Sequence, residues 1–196
     1  MKKTFSAILF IIATVFSIHA NTNIDLTKSQ IEWTGKKVTG SHHGTVSLLS
    51  GNLEMVNNEI SSGSFVIDMN SIVCTDIENK DSNLRLINHL KNDDFFSVEK
   101  FPTSNITINK VILLKDNNQG WTHNIYADLT IKGITKEIIF PSKIKSESRG
   151  KSSVYAEITV DRTQYDIRYM SSSFFSDLAN KAIDNDLYFK VKLFTK

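Results

Sequence analysis

Apolar and polar residues alternate along most of the chain beyond its first 20 positions. In the segment 121–132, the odd positions from Ile125 to Ile131 are apolar, while the even positions carry polar or charged groups. This period of two is typical of an antiparallel strand with one packed and one solvated face. The segments 153–161 and 186–194 repeat the pattern. The same reasoning predicts further strands at 30–38, 43–49, 52–56, 61–69 and 135–145.

One more strand is indicated by Ile106, Ile108, Ile112 and Leu114, which share a parity, although Lys110 falls on the same face. The total is then eight or nine strands, joined by short Gly/Asn turns. Many short alternating strands predict a mainly β chain, folded as a closed antiparallel barrel or as a sandwich. At about eight strands, a barrel interior either fills with side chains or holds one small ligand.

A helix interrupts the alternation between residues 79 and 96. Leu84, Ile87 and Leu90 recur there at helical spacing. Asp81 or Ser82 is the expected N-cap, because a short polar side chain satisfies the free amides of the first turn.

A second interruption, residues 173–183, predicts a shorter helix with Phe174, Phe175 and Leu178 on one side. Adjacent residues on a helix point about 100° apart, so the phenylalanine pair would cover a wide apolar face. A barrel needs no helix in order to close. We therefore predict that the two helical segments either gate the mouths of a cavity or cap the barrel ends as ordinary core.

The first 20 residues have the layout of a secretory signal peptide. Two lysines precede an apolar run from Phe5 to Ile18, and cleavage is expected after Ala20. The run is short for a membrane span, and an uncleaved N-terminal anchor is the alternative. We therefore expect export to the periplasm, with residues 21–196 forming one domain large enough for a core.

The charge balance narrows the classes of partner. Removal of Lys2 and Lys3 with the leader would leave 21 basic residues against 21 acidic ones. A formally neutral domain argues against nucleic acid, which requires a basic face, and the sequence has no polybasic cluster for anionic lipid. Cys74 is the only cysteine, so an internal disulfide is excluded.

Histidines are the first candidates for metal chemistry. His42, His43, His89 and His123 form no H-x-H or H-x-x-x-H pair in the sequence. A zinc site would need three or four ligands that converge from separate strands. We therefore expect no metal site, and His43 is expected to be a solvated strand residue.

Catalytic motifs are missing from the sequence. It contains no G-x-S-x-G elbow, no Walker loop and no G-x-G-x-x-G loop. Asp93 and Asp94 are adjacent carboxylates, but their position after the predicted helix favours capping or turn roles. An apolar barrel interior with a few polar groups is the usual form of a small-molecule pocket. His123 has the inward parity of its strand, either near a barrel mouth or inside the core.

Five motifs follow one another in register along the chain. The first is a tryptophan, a glycine–lysine pair and G-x-H-x-G, carried by Trp33, Gly35, Lys36, Gly40, His42 and Gly44. The others are I-D-M-x-S-I, H-L-K-x-x-D-F-F-x-V-x-x-[FY]-P, L-T-I-K-G-x-T-K and D-R-x-x-[YF], at 67–72, 89–102, 129–136 and 161–165. Together they resemble the YceI-like family of exported polyisoprenoid-binding proteins, over residues 24–196.

Two positions depart from the family pattern. Asp166 stands where glycine is usual, and a left-handed backbone is less favourable for aspartate than for glycine. His43 stands where a small amide or another polar residue is common. His42 matches the family histidine, so we expect it to face inward or toward the hairpin turn, with His43 facing outward.

The resemblance implies a lipocalin-like antiparallel β-barrel of about eight strands with one or two short helical insertions. It implies a long-chain amphiphilic lipid of the polyisoprenoid or isoprenoid quinone type as ligand, and no reaction or cofactor. A homodimer stays open, whereas nucleic acid and stable membrane insertion after signal cleavage are not expected. The expected ligand-binding residues are Trp33, Lys36, His42, Phe65, Ile67, Phe95, Phe96, Ile125, Leu129, Ile138, Phe140, Ile158, Arg162, Phe174 and Phe175.

The family motifs also carry polar positions, namely Lys36, His42, Asp68, Asp161 and Arg162. An unpaired charge inside a barrel is costly, so any of these that points inward should be paired or meet the head group of the ligand. Arg162 shares its parity with Val160 and is the expected inward member of the Asp161–Arg162 pair. It either meets the ligand or forms a structural ion pair that closes the barrel end.

Two other functions stay open at this point. One is an enzyme or metal protein that uses His42, His123 and a nearby carboxylate. The other is a packed barrel that binds another protein. The second predicts an interior filled by side chains, without a tunnel.

Overall fold

The structure, a computed structural model, describes residues 19–57, 59–115, 120–147 and 151–196. Two short 3₁₀ helices span Arg162–Tyr165 and Ala179–Lys181. The predicted signal peptide lies outside the described residues, except that positions 19 and 20 begin the first strand. The other elements, in chain order, are β1 (His19–Asn23), β2 (Gln30–Lys37), β3 (Gly40–Val56), β4 (Glu59–Cys74), α1 (Lys80–Lys91), β5 (Thr103–Leu113), β6 (His123–Ile131), β7 (Ile134–Ser146), β8 (Ser152–Asp161) and β9 (Ile183–Phe194).

Eight of these strands form a closed antiparallel barrel. Their order is β2-β9-β8-β7-β6-β5-β4-β3, and the ring closes because β3 pairs with both β2 and β4. The additional strand β1 pairs with the last part of β3, beyond the point where β2 pairs with it. The predicted lipocalin-like barrel of about eight strands is confirmed, and the sandwich alternative is excluded.

The barrel has two different ends. At the end that we call the upper end, β2 turns into β3 and β6 turns into β7, and both α1 and the segment between β8 and β9 lie there. At the opposite, lower end, β3 turns into β4 and β5 leads into β6. The two longest connections, 75–102 and 162–182, therefore lie at the upper end, where they can shape a cavity mouth.

The strand β3 is continuous, although two strands were predicted, at 43–49 and 52–56. Gly51 does not form a turn but pairs with Phe65 in β4. A Cβ atom at Gly51 would lie 2.7 Å from the Phe65 ring, so glycine here permits a close approach. Three register shifts between β3 and β4 let the long strand bend while it stays paired.

Lys110, the misfit in the predicted pattern, marks a bulge in β5. The register of β5 against β6 shifts between Ile108 and Lys110. Beyond the shift, Val111 pairs with Ile125 and packs against the core. The inward parity predicted for Ile112 is therefore wrong, because one extra residue exchanges the two faces of the strand.

The helix α1 begins earlier than predicted. Asn79 is the N-cap, and its side-chain oxygen accepts a hydrogen bond from the amide of Ser82 at 3.0 Å. Asp81 and Ser82, the predicted caps, lie in the first turn instead, where the Asp81 carboxylate suits the helix dipole. Leu90 packs against buried residues of the barrel, so α1 covers part of the upper end.

Residues 173–183 do not form the predicted helix. They form turns, then the 3₁₀ helix Ala179–Lys181 and the start of β9. Asp177 and Ala179 have φ angles of 63° and 47°, which a right-handed helix cannot contain. Phe174 and Phe175 are 47% and 50% exposed, so they do not cap the barrel as core.

Candidate functional site: an apolar cavity with a polar upper end

The inward side chains of the barrel surround a cavity of about 220 Å³. Its lining extends from Ile60 and Leu193 near the lower end to Lys37 and Ser41 at the upper end. If one water-sized group takes about 10–15 Å³, this volume holds roughly 15–22 such groups. The space therefore suits one long hydrocarbon chain, and the interior is not filled as the packed-barrel alternative predicted.

Thirteen of the fifteen predicted ligand-binding residues line this cavity. They share the inward parity of their strands or lie in the connections at the upper end. They are Trp33, Lys36, His42, Phe65, Ile67, Phe95, Phe96, Ile125, Leu129, Ile138, Phe140, Ile158 and Arg162. Phe174 and Phe175 lie on the surface outside the lining. A contact of any of these residues with a ligand stays a prediction.

Trp33 and Lys36 contribute to the wall in different ways. The indole nitrogen of Trp33 donates a hydrogen bond to the carbonyl of Val73 at 3.1 Å, which fixes the ring across two non-adjacent segments. The ammonium of Lys36 lies 3.9 Å from the centre of the Tyr188 ring, in a cation–π contact. Lys36 thus lines the cavity, while its charged group contacts the face of the Tyr188 ring.

Arg162 is the most deeply buried charged residue described, with no exposed surface. Its Nε donates to the carbonyl of Asp184 at 2.9 Å, Nη1 to that of Ile167 at 2.7 Å and Nη2 to that of Ile183 at 3.1 Å. Burial lowers the pKa of Arg162, while the charges of Asp161 and Asp184 oppose that effect. Inward placement agrees with the predicted parity, but the partners are backbone carbonyls and not the expected ion pair.

The carboxylates of Asp161 and Asp68 accept hydrogen bonds from nearby backbone amides and do not line the cavity. Asp161 caps the 3₁₀ helix that follows it, since its carboxylate accepts hydrogen bonds from the amide and hydroxyl of Thr163. The carboxylate of Asp68 accepts from the amide of Asn70. At Asp166, which replaces the usual glycine, φ is 58° and the residue ends the 3₁₀ helix in the left-handed conformation.

His42 lines the cavity at the upper end, and His43 points to solvent. Nδ1 of His42 lies 2.9 Å from one carboxylate oxygen of Asp76. The other oxygen accepts from the His43 amide at 3.0 Å and from the Cys74 thiol at 3.1 Å. Burial and this carboxylate raise the pKa of Cys74, which keeps the thiol protonated. Asp76 therefore organises the first hairpin.

His123 belongs to the opposite end of the barrel. It begins β6 at the lower end, and its Nδ1 lies 2.8 Å from the hydroxyl of Thr122. Burial lowers its pKa, and the charge of Glu59 opposes this shift. Since His42 lies at the upper end, the two histidines of the enzyme hypothesis do not meet. Within the described ranges, no group of three His, Cys, Asp or Glu side chains is placed to hold a metal ion.

A second, polar depression adjoins the cavity at the upper end, and we call it the vestibule. It shares Lys37 and Ile183 with the cavity lining. His89 contributes a ring that packs edge-on against Tyr169, and its Nε2 donates a hydrogen bond to a carboxylate oxygen of Asp94 at 3.0 Å. The residues that line the vestibule are Lys37, Thr39, His89, Tyr169, Met170, Asn180, Lys181 and Ile183.

Sequence reasoning missed the vestibule and Asp76. Lys37 and Lys181 lie far apart in the sequence, and no local motif links them. Asp76 follows a recognised strand motif, but only the fold reveals its contact with His42, which lies 34 positions away. Asp93 and Asp94 have the turn roles that were predicted, since Asp93 accepts from Ser97 at 2.7 Å.

An eight-stranded antiparallel barrel around one apolar cavity with a polar mouth defines a lipocalin-like protein. The model of the YceI-like domain family matches residues 23–193, and the chain belongs to this family. A search of curated proteins found no match.

Solved structures of three bacterial proteins share the fold. BcnA from Burkholderia cenocepacia has a TM-score of 0.68 at 16% identity, covering 88% of this chain and 99% of its own. A polyisoprenoid binding domain from Saccharophagus degradans is described as implicated in plant cell wall breakdown. It has a TM-score of 0.61 at 15% identity, covering 89% of this chain and 97% of its own. The YceI protein of Campylobacter jejuni has a TM-score of 0.51 at 17% identity, covering 100% of this chain and 93% of its own.

Proposed function

We propose that this chain binds a long-chain amphiphilic lipid, of the polyisoprenoid or isoprenoid quinone type, and sequesters or carries it in the periplasm. The observation that carries the proposal is the apolar cavity, which runs from the lower end to the polar vestibule. Membership of the YceI-like family supports it, as does the similar fold of a domain described as polyisoprenoid binding.

The cavity wall accounts for affinity through buried apolar surface. A buried methylene contributes about 0.8 kcal/mol, so an isoprene unit of five carbons contributes roughly 4 kcal/mol. Association itself costs about 4–15 kcal/mol in lost freedom of motion. A ligand with a single isoprene unit would therefore bind weakly, and several units in one file are needed for tight binding.

The orientation of the ligand follows from the two ends. At the lower end, the cavity ends among the buried residues Leu53, Ile125 and Phe140, which offer no polar partner. At the upper end, Lys37 and the rest of the vestibule offer ammonium, hydroxyl and amide groups. We propose that the hydrocarbon tail enters first and the polar head stays at the vestibule.

Export and a binding role complete the proposal. The layout of residues 1–20 supports export through a cleaved signal peptide. The separation of His42 from His123 gives the rival enzyme hypothesis no shared site, and the family resemblance favours binding over catalysis.

Native mass spectrometry of the protein purified from its producing cells tests the proposal. We expect a one-to-one adduct with the mass of a long-chain amphiphile, which organic extraction removes. Addition of a long prenol or an isoprenoid quinone to the extracted protein should restore a one-to-one complex. A purified protein without an adduct that takes up neither compound would overturn the proposed function.

A further inference from the structure

Of the large apolar side chains that are exposed at the upper end, three lie on the segments that border the vestibule. Val38, at the tip of the β2–β3 hairpin, is 69% exposed, and Phe174 and Phe175 are about half exposed. They belong to the two segments that border the vestibule, since Lys37 and Thr39 flank Val38 and Lys181 follows the phenylalanine pair. Apolar side chains grouped around a cavity mouth commonly mark an interaction site.

The backbone at these three positions is held by hydrogen bonds. The amide of Val38 donates to the carbonyl of Ala182 at 3.3 Å, which ties the hairpin tip to the segment before β9. The amides of Phe174 and Phe175 both donate to the carbonyl of Ser171, which is itself fully buried. The exposed side chains of Val38, Phe174 and Phe175, which we call the rim, therefore stand on ordered backbone and not on a frayed end.

The charged groups in and around the vestibule indicate the kind of partner. The vestibule lining contains the two ammonium groups of Lys37 and Lys181 and no carboxylate. A third cation, Arg168, lies over the Phe174 ring at 4.7 Å and is paired with the adjacent carboxylate of Asp166. Asp177 lies on the same segment. The vestibule lining thus carries two ammonium groups, while the nearby carboxylates of Asp94 and Asp166 are paired with His89 and Arg168. Exposed apolar side chains lie beside it.

We infer that the upper end is a docking surface for a lipid bilayer that contains anionic head groups. Val38, Phe174 and Phe175 enter the interfacial region, where aromatic rings are favoured, and Lys37 and Lys181 contact lipid phosphates. The contact is peripheral and reversible. Docking places the cavity mouth against the membrane, so an apolar ligand passes between bilayer and barrel without crossing water.

This inference goes beyond the proposed function, because vesicle binding does not depend on what the cavity holds. The test measures co-sedimentation of the full chain with vesicles of phosphatidylcholine alone and with 30% phosphatidylglycerol, at low and high salt. We expect binding to the anionic vesicles that falls with salt. Phe174→Ser/Phe175→Ser, and separately Val38→Ser, should weaken it at least fivefold.

Lys37→Gln/Lys181→Gln should abolish the preference for anionic vesicles. Two matched controls remove the same groups elsewhere, and both should bind like the unaltered protein. Leu113→Ser/Ile139→Ser removes two exposed apolar side chains, and Lys143→Gln/Lys145→Gln removes two lysines, all outside the upper end. Circular dichroism verifies that each variant is folded.

Three outcomes would overturn the inference. The first is that the unaltered protein binds neither kind of vesicle. The second is that the controls weaken binding as much as the rim variants do. The third is that the phenylalanine variant changes the sedimentation coefficient of the protein alone, which would assign the surface to a second copy of the chain. None of these outcomes bears on whether the cavity binds a lipid.

Discussion

Nδ1 of His42 and a carboxylate oxygen of Asp76 lie 2.9 Å apart, at the point where β3 begins and β4 has just ended. The same carboxylate accepts the His43 amide and the Cys74 thiol. The side chain of Asp76, just after the end of β4, thus contacts both histidines of the hairpin between β2 and β3. The adjacent histidines therefore divide into one that lines the cavity and one that faces solvent.

Asp76→Asn should destabilise the fold by about 1–3 kcal/mol at pH 7, because a charged acceptor of three hydrogen bonds is lost. Burial by itself raises the pKa of Asp76, but hydrogen bonds from His43, His42 and Cys74 outweigh it, so the pKa lies well below its usual range. The unfolded chain therefore takes up the proton first as the pH falls.

The stabilisation by Asp76 is accordingly present above about pH 4 and is lost as the pH falls further, toward the folded-state pKa. Urea unfolding at pH 7 and at pH 3 measures this, with the exposed Glu78→Gln as control. A difference between the unaltered protein and Asp76→Asn that is the same at both pH values would contradict the assignment.

Gly44→Ala should be among the most damaging single changes in the barrel. A Cβ atom there would collide with the carbonyl oxygen of Val73 and lie 2.9 Å from Cα of Cys74, so β3 and β4 would have to separate. We expect a loss of about 3 kcal/mol or more, or failure to fold. Gly35→Ala is the matched control, because its Cβ would meet nothing closer than Leu187 at 4.0 Å. Equal stability of both variants, measured by thermal unfolding, would refute this prediction.

Arg162→Met should destabilise the protein by about 2–4 kcal/mol, because it leaves three carbonyl groups without their donor. Arg162→Lys should recover only part of this loss, since an ammonium cannot reproduce the planar fork of the guanidinium. The prediction is checked by guanidinium unfolding. An Arg162→Met variant of unchanged stability would show that the carbonyl contacts carry no net free energy.

Tyr165→Phe should leave stability unchanged or raise it by about 1 kcal/mol. The hydroxyl of Tyr165 is buried and has no hydrogen-bond partner among the described residues, and burial raises its pKa to about 12. Removal of a buried polar group without a partner relieves its desolvation cost. A clear loss of stability on thermal unfolding would instead indicate that the hydroxyl has a partner, such as a bound ligand.

Ile158→Trp should block the binding of long chains. Ile158 packs against the buried clusters at both ends of the barrel, so a larger side chain there divides the cavity. We expect the variant to bind a short prenol such as geraniol and to lose a long prenol, as measured by native mass spectrometry. Thr159→Trp, which places the same ring on the exposed face, is the control. Retained binding of the long prenol by Ile158→Trp would mean that the ligand lies outside the cavity.

The sequence by itself determined the barrel and most of its wall. Successive side chains of a strand point to opposite faces, so a period of two identifies the inward residues without knowledge of their neighbours. Residues such as Ile125, Leu129 and Ile158 could be assigned to the wall for this reason. The helix α1 was found by its period as well, although its N-cap was placed two or three residues too late.

Local patterns failed where a distant contact decides the conformation. The bulge at Lys110 and the continuous path through Gly51 depend on how neighbouring strands pair. The segment with Phe174 and Phe175 has an apolar pattern that suits a helix, but hydrogen bonds to β9 and the hairpin hold it in turns.

Only the tertiary structure decided that the interior is open and that its mouth is polar. Whether a barrel is packed depends on the summed volumes of all inward side chains, which no single segment reveals. The pairing of Asp76 with His42 and the approach of Lys37 to Lys181 arise because barrel closure brings together residues that lie far apart along the chain. The alternation of side chains is a local property of the backbone, whereas a cavity and its mouth are properties of the closed sheet.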